Sequence, residues 1–273
     1  MRILLATDGS SHSRRATRWL RDLALPTDVT VTVLTVAILD EPPRDAQTMT
    51  ELRAAVTRKA RRVAEWAAKT LGRRWQQVEV LIREGDPRVE IVRVADELHG
   101  EMIVLGARGL GRVNRFLIGS TSLAAARYAP CPVAIVRGRP HKTNRLLVPI
   151  DGSSSSRAAL RFLSISDLEH DSRVTLLHVL PRGLGEDERK QHAEAETLLR
   201  EAGATLEESR RSVEHLVAVG DPAREIVKIA RSRDVDLVIL GARGLRTLGR
   251  LLLGSVSETV LHQASRPVII VRE

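Results

Sequence analysis

The 273-residue sequence has little cysteine and few aromatic residues. Its single cysteine, Cys131, excludes a disulfide within the chain and is typical of a reducing compartment. Because Cys131 lies between two prolines, we expect a small buried filler and not a catalyst. Aromatic residues make up only 2% of the sequence, so the core must be built from Val, Leu, Ile and Ala.

Long apolar runs are also missing. The apolar run within the opening MRILLATDGS is too short for the core of a signal peptide and leads directly into a turn. No other run approaches the roughly 18–20 residues of a membrane span. We therefore expect a cytoplasmic protein without a membrane partner.

Charge of one sign is in excess, with 43 Lys and Arg against 34 Asp and Glu and a net charge of +9. Such an excess favours polyanionic partners, nucleic acid among them. However, the few aromatic residues are scattered and predict no platform for stacking bases. The basic cluster at residues 58–62 lies in an alanine-rich helical segment beside Glu65, which is typical of a solvated helix face. Nucleic-acid binding is therefore the least favoured interpretation.

A glycine motif occurs twice in the chain. Gly-Ala-Arg-Gly-Leu stands at 106–110 and at 241–245, and Gly-Ser follows at 119–120 and 254–255. Both copies fit Gly-x2-Gly-x9-Gly-Ser, with a further Ser two residues on. The repeat predicts two domains, 1–138 and 144–273, joined by a short polar linker.

Each half alternates short β-branched runs with amphipathic segments. In the first half we predict strands at 2–7, 29–37, 78–83, 102–105 and 133–136. Helices are predicted at 13–25 and 46–71, after Asp86-Pro87, and at 120–128. The second half repeats the strands at 145–150, 173–180, 213–219, 237–240 and 268–271. This pattern predicts an α/β protein of two tandem doubly wound domains, each with a five-stranded, mainly parallel sheet flanked by helices.

The glycine motif is expected to bind phosphate at the edge of each sheet. Ligands of doubly wound sheets bind beyond the carboxyl ends of the strands, where strand order reverses. Strands one and four of the first half end at this edge, at Asp8 and Gly106. Gly106 and Gly109 allow a sharp turn there, because glycine tolerates a positive φ and has no Cβ.

Beyond this turn, Gly119-Ser120 begins a helix whose free N–H groups and dipole attract an anion. The hydroxyls of Ser120 and Ser122 are expected within reach of phosphate oxygens. Arg108 and Arg243 lie inside the two turns and either clamp phosphates or form exposed ion pairs. The connecting loops add four more arginines, Arg112 and Arg115 in the first half and Arg246 and Arg250 in the second.

Asp8 and Asp151 follow the first strand of each half. Each could cap the next helix, but Ser10, Ser11 or Ser153 would serve that role equally well. A carboxylate beside phosphates would be repelled, so we expect each aspartate to face a nucleoside or an Mg²⁺ ion.

Known catalytic arrangements are missing around the glycine motif. The sequence contains neither a P-loop lysine nor Gly-x-Gly-x-x-Gly after a first strand. It has no Cys/His cluster with zinc spacing and no Ser-His-Asp order. His178, at the end of a strand, is expected to be a core or rim residue. The sequence thus predicts nucleotide binding without a catalytic residue or a metal site of its own.

Taken together, Asp-Gly-Ser after strand one, Gly-Asp-Pro before helix three and the glycine motif resemble the universal stress protein family, end to end in both halves. The resemblance implies a Rossmann-like fold of the adenine nucleotide alpha hydrolase type. For members that keep the glycine motif it implies ATP binding, with any Mg²⁺ held mainly by the phosphates. It also implies pairing through strand five, as an internal pseudo-dimer of the two halves and as a homodimer of chains.

The resemblance assigns roles to individual residues. Asp8 would contact the nucleoside, and Val36 or Ala37 would meet adenine through backbone groups. Ribose and phosphates would be held by Gly106, Arg108, Gly109, Gly119, Ser120 and Ser122. The matching set in the second half is Asp151, Val179, Leu180, Gly241, Arg243, Gly244, Gly254, Ser255 and Ser257. The first copy is slightly less typical, with Thr121 and Leu123-Ala124 where the second has Val256 and Glu258-Thr259.

Three functions are compatible with these patterns. The favoured one is a nucleotide-responsive regulatory protein of the stress response, in which ATP changes the surface shown to a protein partner that the sequence does not identify. The second is a slow Mg²⁺-dependent ATPase or nucleotidyl enzyme that uses Asp8 or Asp151. The third is a nucleic-acid binder driven by charge.

Overall fold

The computed structural model describes residues 1–26, 28–39, 46–109, 118–138, 143–166, 168–169, 171–183, 187–206, 211–244 and 253–272. The chain divides into two compact units, Met1–Asp22 with Thr27–Pro140, and Leu23–Pro26 with His141–Glu273. Strands and helices alternate in the same order in both units. The predicted architecture of two tandem α/β domains is confirmed.

The first unit is a parallel sheet with helices between its strands. Its elements are β1 (Arg2–Ala6), α1 (Ser11–Asp22), β2 (Thr30–Ala37), α2 (Ala46–Leu71), β3 (Gln77–Glu84), α3 (Pro87–Glu97), β4 (Met102–Gly106), α4 (Ser120–Tyr128) and β5 (Val133–Val136). The strands lie in the order β3-β2-β1-β4-β5, and all neighbours are parallel. Strand order therefore reverses between β1 and β4, which opens a crevice at their carboxyl ends.

The second unit repeats this topology. Its elements are β6 (Arg145–Pro149), α5 (Ser154–Ile165), β7 (Arg173–Leu180), α6 (Glu188–Ala204), β8 (Ser212–Val219), α7 (Pro222–Ser232), β9 (Leu237–Gly241), α8 (Ser255–Gln263) and β10 (Val268–Val271). The strands lie in the order β8-β7-β6-β9-β10, again parallel. The reversal falls between β6 and β9.

Two inner strands, β4 and β9, are buried along their whole length. Every residue of β4 and β9 is buried, as expected for parallel strands covered by helices on both faces. Aliphatic residues and alanine form most of both cores, with Trp19 and Trp75 as buried aromatic residues of the first. Cys131 is also buried, and burial raises the pKa of its thiol to about 12. Among the described residues, no helix is both long enough and apolar enough to cross a membrane.

The first helix of each unit begins at a serine cap. Predicted at 13–25, α1 instead spans Ser11–Asp22, because the hydroxyl of Ser10 accepts the amide of Ser13 at 3.2 Å. The corresponding cap of α5 is Ser153, which accepts the amide of Ser156 at 3.1 Å. Apolar spacing predicted the helix but placed it two to three residues too late, since it does not locate a cap.

Candidate functional site

A cavity of about 310 Å³ lies at the carboxyl ends of β1 and β4. One part of its lining is apolar and comes from β2, the segment after it and α3; these residues are Leu34, Val36, Ile38, Pro87 and Ile91. The other part comes from the β1–α1 turn and the glycine motif; it includes Asp8, Gly106, Arg108, Gly109, Gly119, Ser120 and Ser122. A cavity with one apolar and one polar region is typical of a small-molecule site.

The structure brings together eight of the nine residues predicted for the first site. The exception is Ala37, which is buried and does not belong to the described lining of the cavity. Its carbonyl accepts the amide of Gly85 at 3.2 Å. Val36 does line the cavity, so the end of β2 reaches the site through this residue.

Glycine is required in the turn after β4 because the backbone comes very close to its neighbours. An ideal Cβ on Gly109 would lie 2.6 Å from Oδ2 of Asp8, and one on Gly106 would lie 2.6 Å from the carbonyl carbon of His12. Neither glycine has a φ in the left-handed region, so the expected use of positive φ is wrong at this turn. Positive φ occurs instead in the Asp-Gly-Ser turns, at Gly9 (78°) and Gly152 (79°).

The aspartate after β1 stabilises the turn, and the serine caps the helix. Oδ1 of Asp8 accepts the amide of Ser10 at 3.0 Å, and the hydroxyl of Ser10 donates to the carbonyl of Arg108 at 3.4 Å. In the second unit Asp151 accepts the amide of Ser153, also at 3.0 Å. The aspartates are therefore not the helix caps, and the Asp-Gly-Ser turn contacts the glycine motif directly.

The helices that follow the glycine motif begin without a capping side chain among the described residues. Gly119 and Gly254 are their N-caps, in extended conformation (φ −71°, ψ 149° and φ −68°, ψ 150°). By contrast, α3, α5 and α7 are capped by Asp86, Ser153 and Asp221. The first-turn amides of α4 and α8 are thus unsatisfied by any described side-chain cap, which is the condition for binding an anion.

The hydroxyls of Ser122 and Ser257 bond to the main chain at the end of the preceding strand. Both are buried, and their hydroxyls donate to the carbonyls of Gly106 at 2.8 Å and Gly241 at 2.7 Å. They connect the start of each helix to the end of the preceding strand. The neighbouring Ser120 and Ser255 are exposed. Direct contact of Ser122 or Ser257 with phosphate stays a prediction.

Two further arginines strengthen the positive charge of this edge. Arg137 follows β5, and burial together with the charge of Arg108 lowers its pKa to about 10. Arg272 follows β10, and burial and the charge of Arg243 likewise lower its pKa. Sequence reasoning missed both, although each follows the last strand of its half at the same position. Each edge therefore holds two arginines close enough for the charge of one to lower the pKa of the other.

The second unit repeats the main-chain geometry of the first. A Cβ on Gly244 would lie 2.7 Å from Oδ2 of Asp151, and one on Gly241 would lie 2.5 Å from the carbonyl carbon of Ser155. At the end of β7, Leu180 is buried and its carbonyl accepts the amide of Gly220 at 2.8 Å, while Val179 is half-buried.

His178 is a rim residue of the second unit, as predicted. It is half-buried, and its Nδ1 lies 2.7 Å from the carbonyl oxygen of Ile150. The loop arginines Arg112, Arg115, Arg246 and Arg250 lie outside the described residues. Within the described ranges, no group of three or more His, Cys, Asp or Glu side chains is arranged to hold a metal ion.

The topology and both edges define a tandem α/β protein in which the same main-chain geometry occurs at the edge of each sheet. A profile described as the universal stress protein family matches residues 1–137 and again 142–272, and the chain belongs to this family.

Relatives extend over both halves. A universal stress protein of Mycolicibacterium smegmatis is 28% identical over 286 residues, which cover 99% of this chain and 96% of that protein. Universal stress protein Rv2005c of Mycobacterium tuberculosis is 34% identical over 200 residues, 68% of this chain and 66% of that protein. The crystal structure of a universal stress protein from Archaeoglobus fulgidus DSM 4304 has a TM-score of 0.74 at 22% identity and covers 100% of this chain and 96% of its own, which shows the same fold.

Proposed function

We propose that each half binds an adenine nucleotide, with ATP as the main ligand, and that the protein is a nucleotide-responsive regulator of the stress response. One observation carries the proposal: at both sheet edges an uncapped helix start lies next to a turn whose glycines leave no room for a Cβ. Exposed main-chain amides next to a helix N-terminus are a general means of holding phosphate.

Successive parts of the lining of the first cavity match the base, the ribose and the phosphates of a nucleotide. Val36, Ile38 and Pro87 offer an apolar surface for the base. Asp8 lies between this surface and the glycine motif, where a carboxylate can accept hydrogen bonds from ribose hydroxyls. Gly119 and Ser120 would hold the phosphates at the start of α4, and Arg108 would neutralise their charge. Mg²⁺ would then be held mainly by the phosphates.

The surroundings of Asp8 support binding over hydrolysis. Its Oδ1 accepts the amide of Ser10, and its Oδ2 lies against Gly109. A carboxylate held in this way is oriented before a ligand arrives, as hydrogen bonding to ribose requires. The slow ATPase therefore stays the second candidate, and single-turnover hydrolysis by wild type and by Asp8→Asn with Asp151→Asn would detect it.

Two measurements test nucleotide binding. Mass spectrometry of the denatured protein should identify a co-purifying adenine nucleotide. Calorimetric titration of the nucleotide-free protein with Mg-ATP should then show binding that Asp8→Ala weakens in the first site and Asp151→Ala in the second. The proposal would be contradicted if titration up to millimolar ATP gave no heat of binding and if no nucleotide were recovered from the purified protein.

We further propose that the protein acts in the cytoplasm, where a single buried thiol such as Cys131 stays reduced. Pairing of the two halves as a pseudo-dimer, and of two chains as a homodimer, stays a prediction. Sedimentation velocity with and without ATP would measure the state of the chain and any effect of the ligand on it.

A further inference from the structure

A second cavity of the first unit, of about 430 Å³, lies along α1 and α2. We call it the α1–α2 groove; it is lined by Gly9, Arg14, Ala55, Arg58, Lys59, Arg62, Val63 and Trp66. It shares no lining residue with the candidate nucleotide site, although Gly9 directly follows Asp8 of that site. The groove is therefore a separate place for a ligand.

The groove is strongly cationic. Four of its lining residues carry a positive charge and none carries a negative one. The ion pairs of the described residues do not include any of these four cations. Glu65, the nearest carboxylate along α2, is not part of the lining. Four cations that share one groove repel each other, and a polyanion would relieve this repulsion.

Trp66 gives the groove a flat aromatic surface beside these charges. The guanidinium carbon of Arg14 lies 5.0 Å from the centre of the indole ring, and that of Arg18 lies 5.9 Å from it. Trp66 is half-buried, whereas Trp19 and Trp75 are 2% and 3% exposed. Of the three tryptophans, Trp66 is thus the one that a ligand can reach.

The second half shows that the fold does not need these charges. The corresponding cavity along α6, of about 400 Å³, is lined by Lys190, Ala193, Glu194, Thr197, Leu198 and Glu201. The two cavities correspond because Val63 is the nearest side chain to a Cβ built on Gly9, as Leu198 is to one built on Gly152. At matching positions Arg58, Lys59, Arg62 and Trp66 are replaced by Ala193, Glu194, Thr197 and Glu201. The cations at 58, 59 and 62 and the indole of Trp66 therefore have no counterpart at the matching positions of the second half, where Lys190 lines the cavity beside two glutamates.

Contrary to the expectation from the sequence, we propose that the α1–α2 groove binds single-stranded nucleic acid, with phosphates on the cations of α2 and a base on Trp66, because the fold brings this indole and the basic cluster into one groove. Arg58, Arg62 and Trp66 follow each other at intervals of one helical turn, about 6 Å of rise. A row of cations that leads to an aromatic side chain is the means by which proteins bind single strands without sequence preference. An acidic polypeptide would need only the cations, whereas a base can also stack on the indole of Trp66.

Fluorescence anisotropy with a labelled oligothymidylate of about 15 nucleotides tests this site over a series of KCl concentrations. We expect the logarithm of the affinity to fall with the logarithm of the salt concentration with a slope of about −2 to −3, for three to four phosphate contacts. The triple variant Arg58→Ala, Lys59→Glu, Arg62→Thr carries the residues of the second half. It should bind at least about tenfold more weakly, with a slope reduced by about 2.

Trp66→Ala separates stacking from charge. It should lower the affinity about fivefold or more and leave the salt slope unchanged. Tryptophan fluorescence of the wild type should be quenched by the oligonucleotide, and Trp66→Ala should remove this quenching because the two remaining indoles are buried. Unchanged affinity in both the triple variant and Trp66→Ala would overturn the proposal.

Two controls make the result specific. Arg61→Glu with Arg73→Glu changes the net charge by the same amount as the triple variant, at exposed positions outside the groove, and should bind like the wild type. Gly119→Val, which alters the candidate nucleotide site, should also keep oligonucleotide binding. Equal loss in the charge control, or equal competition by polyglutamate and by unlabelled oligonucleotide, would show a nonselective cationic surface and would also overturn the proposal.

Discussion

The carboxylate of Asp8 lies against the main chain of Gly109, so close that a Cβ on this glycine would be 2.6 Å from Oδ2. Asp151 and Gly244 have the same relationship, at 2.7 Å. Asp8 and Gly109 are distant in sequence and meet because β1 and β4 are adjacent and parallel. The Asp-Gly-Ser motif and the glycine motif are therefore two parts of one turn structure.

Gly109→Ala tests this contact. The added methyl group would overlap Oδ2 of Asp8, so we expect the free energy of unfolding of the first unit to fall by about 1–3 kcal/mol. In an Asp8→Ala background the opposing oxygen is gone, and the same substitution should cost much less. All three tryptophans lie in the first half, so urea unfolding followed by their fluorescence measures this unit.

The double-mutant cycle of Asp8 and Gly109 should give a coupling free energy on the order of 1 kcal/mol or more. Gly119→Ala is the matched control, because a Cβ there would lie 3.4 Å from its nearest neighbours, an ordinary contact. It should show no coupling with Asp8→Ala. Strictly additive effects of Asp8→Ala and Gly109→Ala would mean that the two residues do not oppose each other in solution.

Substitutions of different glycines in the same motif should have different effects, on ligand binding in one case and on stability in the other. Gly119→Val with Gly254→Val should abolish ATP binding and keep the fold, since both positions have extended φ and ψ that valine adopts readily. The methyl groups of each valine would lie at the start of α4 or α8, where we propose that phosphate binds. Calorimetry with Mg-ATP measures the loss; unchanged affinity would contradict the phosphate-binding role of the helix start.

Gly106→Ala should instead destabilise the fold. Its Cβ would lie 2.6 Å from the carbonyl carbon of His12 and 2.7 Å from the amide nitrogen of Ser13, both main-chain atoms of α1 that cannot move alone. We expect a loss of at least about 2 kcal/mol in the free energy of unfolding of the first unit. Equal stability of Gly106→Ala and Gly119→Ala in urea would show that α1 and β4 are less closely packed than the structure indicates.

Much of the fold could be predicted because its strands are apolar and its helices amphipathic. Residues 46–71, 120–128 and 133–136 match the observed α2, α4 and β5. The predicted start of α1 was wrong because the sequence offers several serines that could cap the helix. Only the hydrogen bond from the amide of Ser13 to the hydroxyl of Ser10 identifies the cap. Such a choice depends on three-dimensional contacts that periodicity does not contain.

The lining of the first site was also largely predictable, since both motifs follow strands that end at one edge. The structural reason for each glycine could not be predicted from the sequence. Gly9 uses positive φ, Gly109 makes room for a carboxylate and Gly119 leaves a helix uncapped. Arg137 was missed because it follows β5 without a glycine or hydroxyl motif, and its burial beside Arg108 depends on packing.

Cys131 should be inert in the folded protein. It is 6% exposed, and with a pKa of about 12 only about one thiol in ten thousand is ionised at pH 8. A disulfide reagent that releases a coloured thiol should therefore react slowly with the native protein and with one equivalent after unfolding in guanidinium chloride. Native reaction as fast as that of free glutathione would show that this cysteine is accessible.

His12 should make the first unit sensitive to acid. Burial lowers its pKa below 6.5, and the charges of Arg15, Arg108 and Arg137 lower it further, against an opposite effect of Asp8. Its buried Nδ1 has no hydrogen-bond partner among the described residues, so protonation there would leave an unsatisfied N–H group. The folded protein therefore resists protonation of this imidazole.

The sign of the pH dependence follows from this difference. As the pH falls, the unfolded chain binds a proton at His12 before the folded protein does. The free energy of unfolding should therefore fall as the pH falls from neutrality towards the lowered pKa of the folded protein. Below that pKa both states are protonated, and the contribution of His12 to the pH dependence should level off. His12→Ser, which introduces the residue that the second half has as Ser155, should flatten the dependence in this range. Urea unfolding of both proteins across this range, followed by tryptophan fluorescence, measures the two slopes. If they are identical, the imidazole of His12 titrates alike in the folded and unfolded chain, and the positive charges around it do not act on it as the structure indicates.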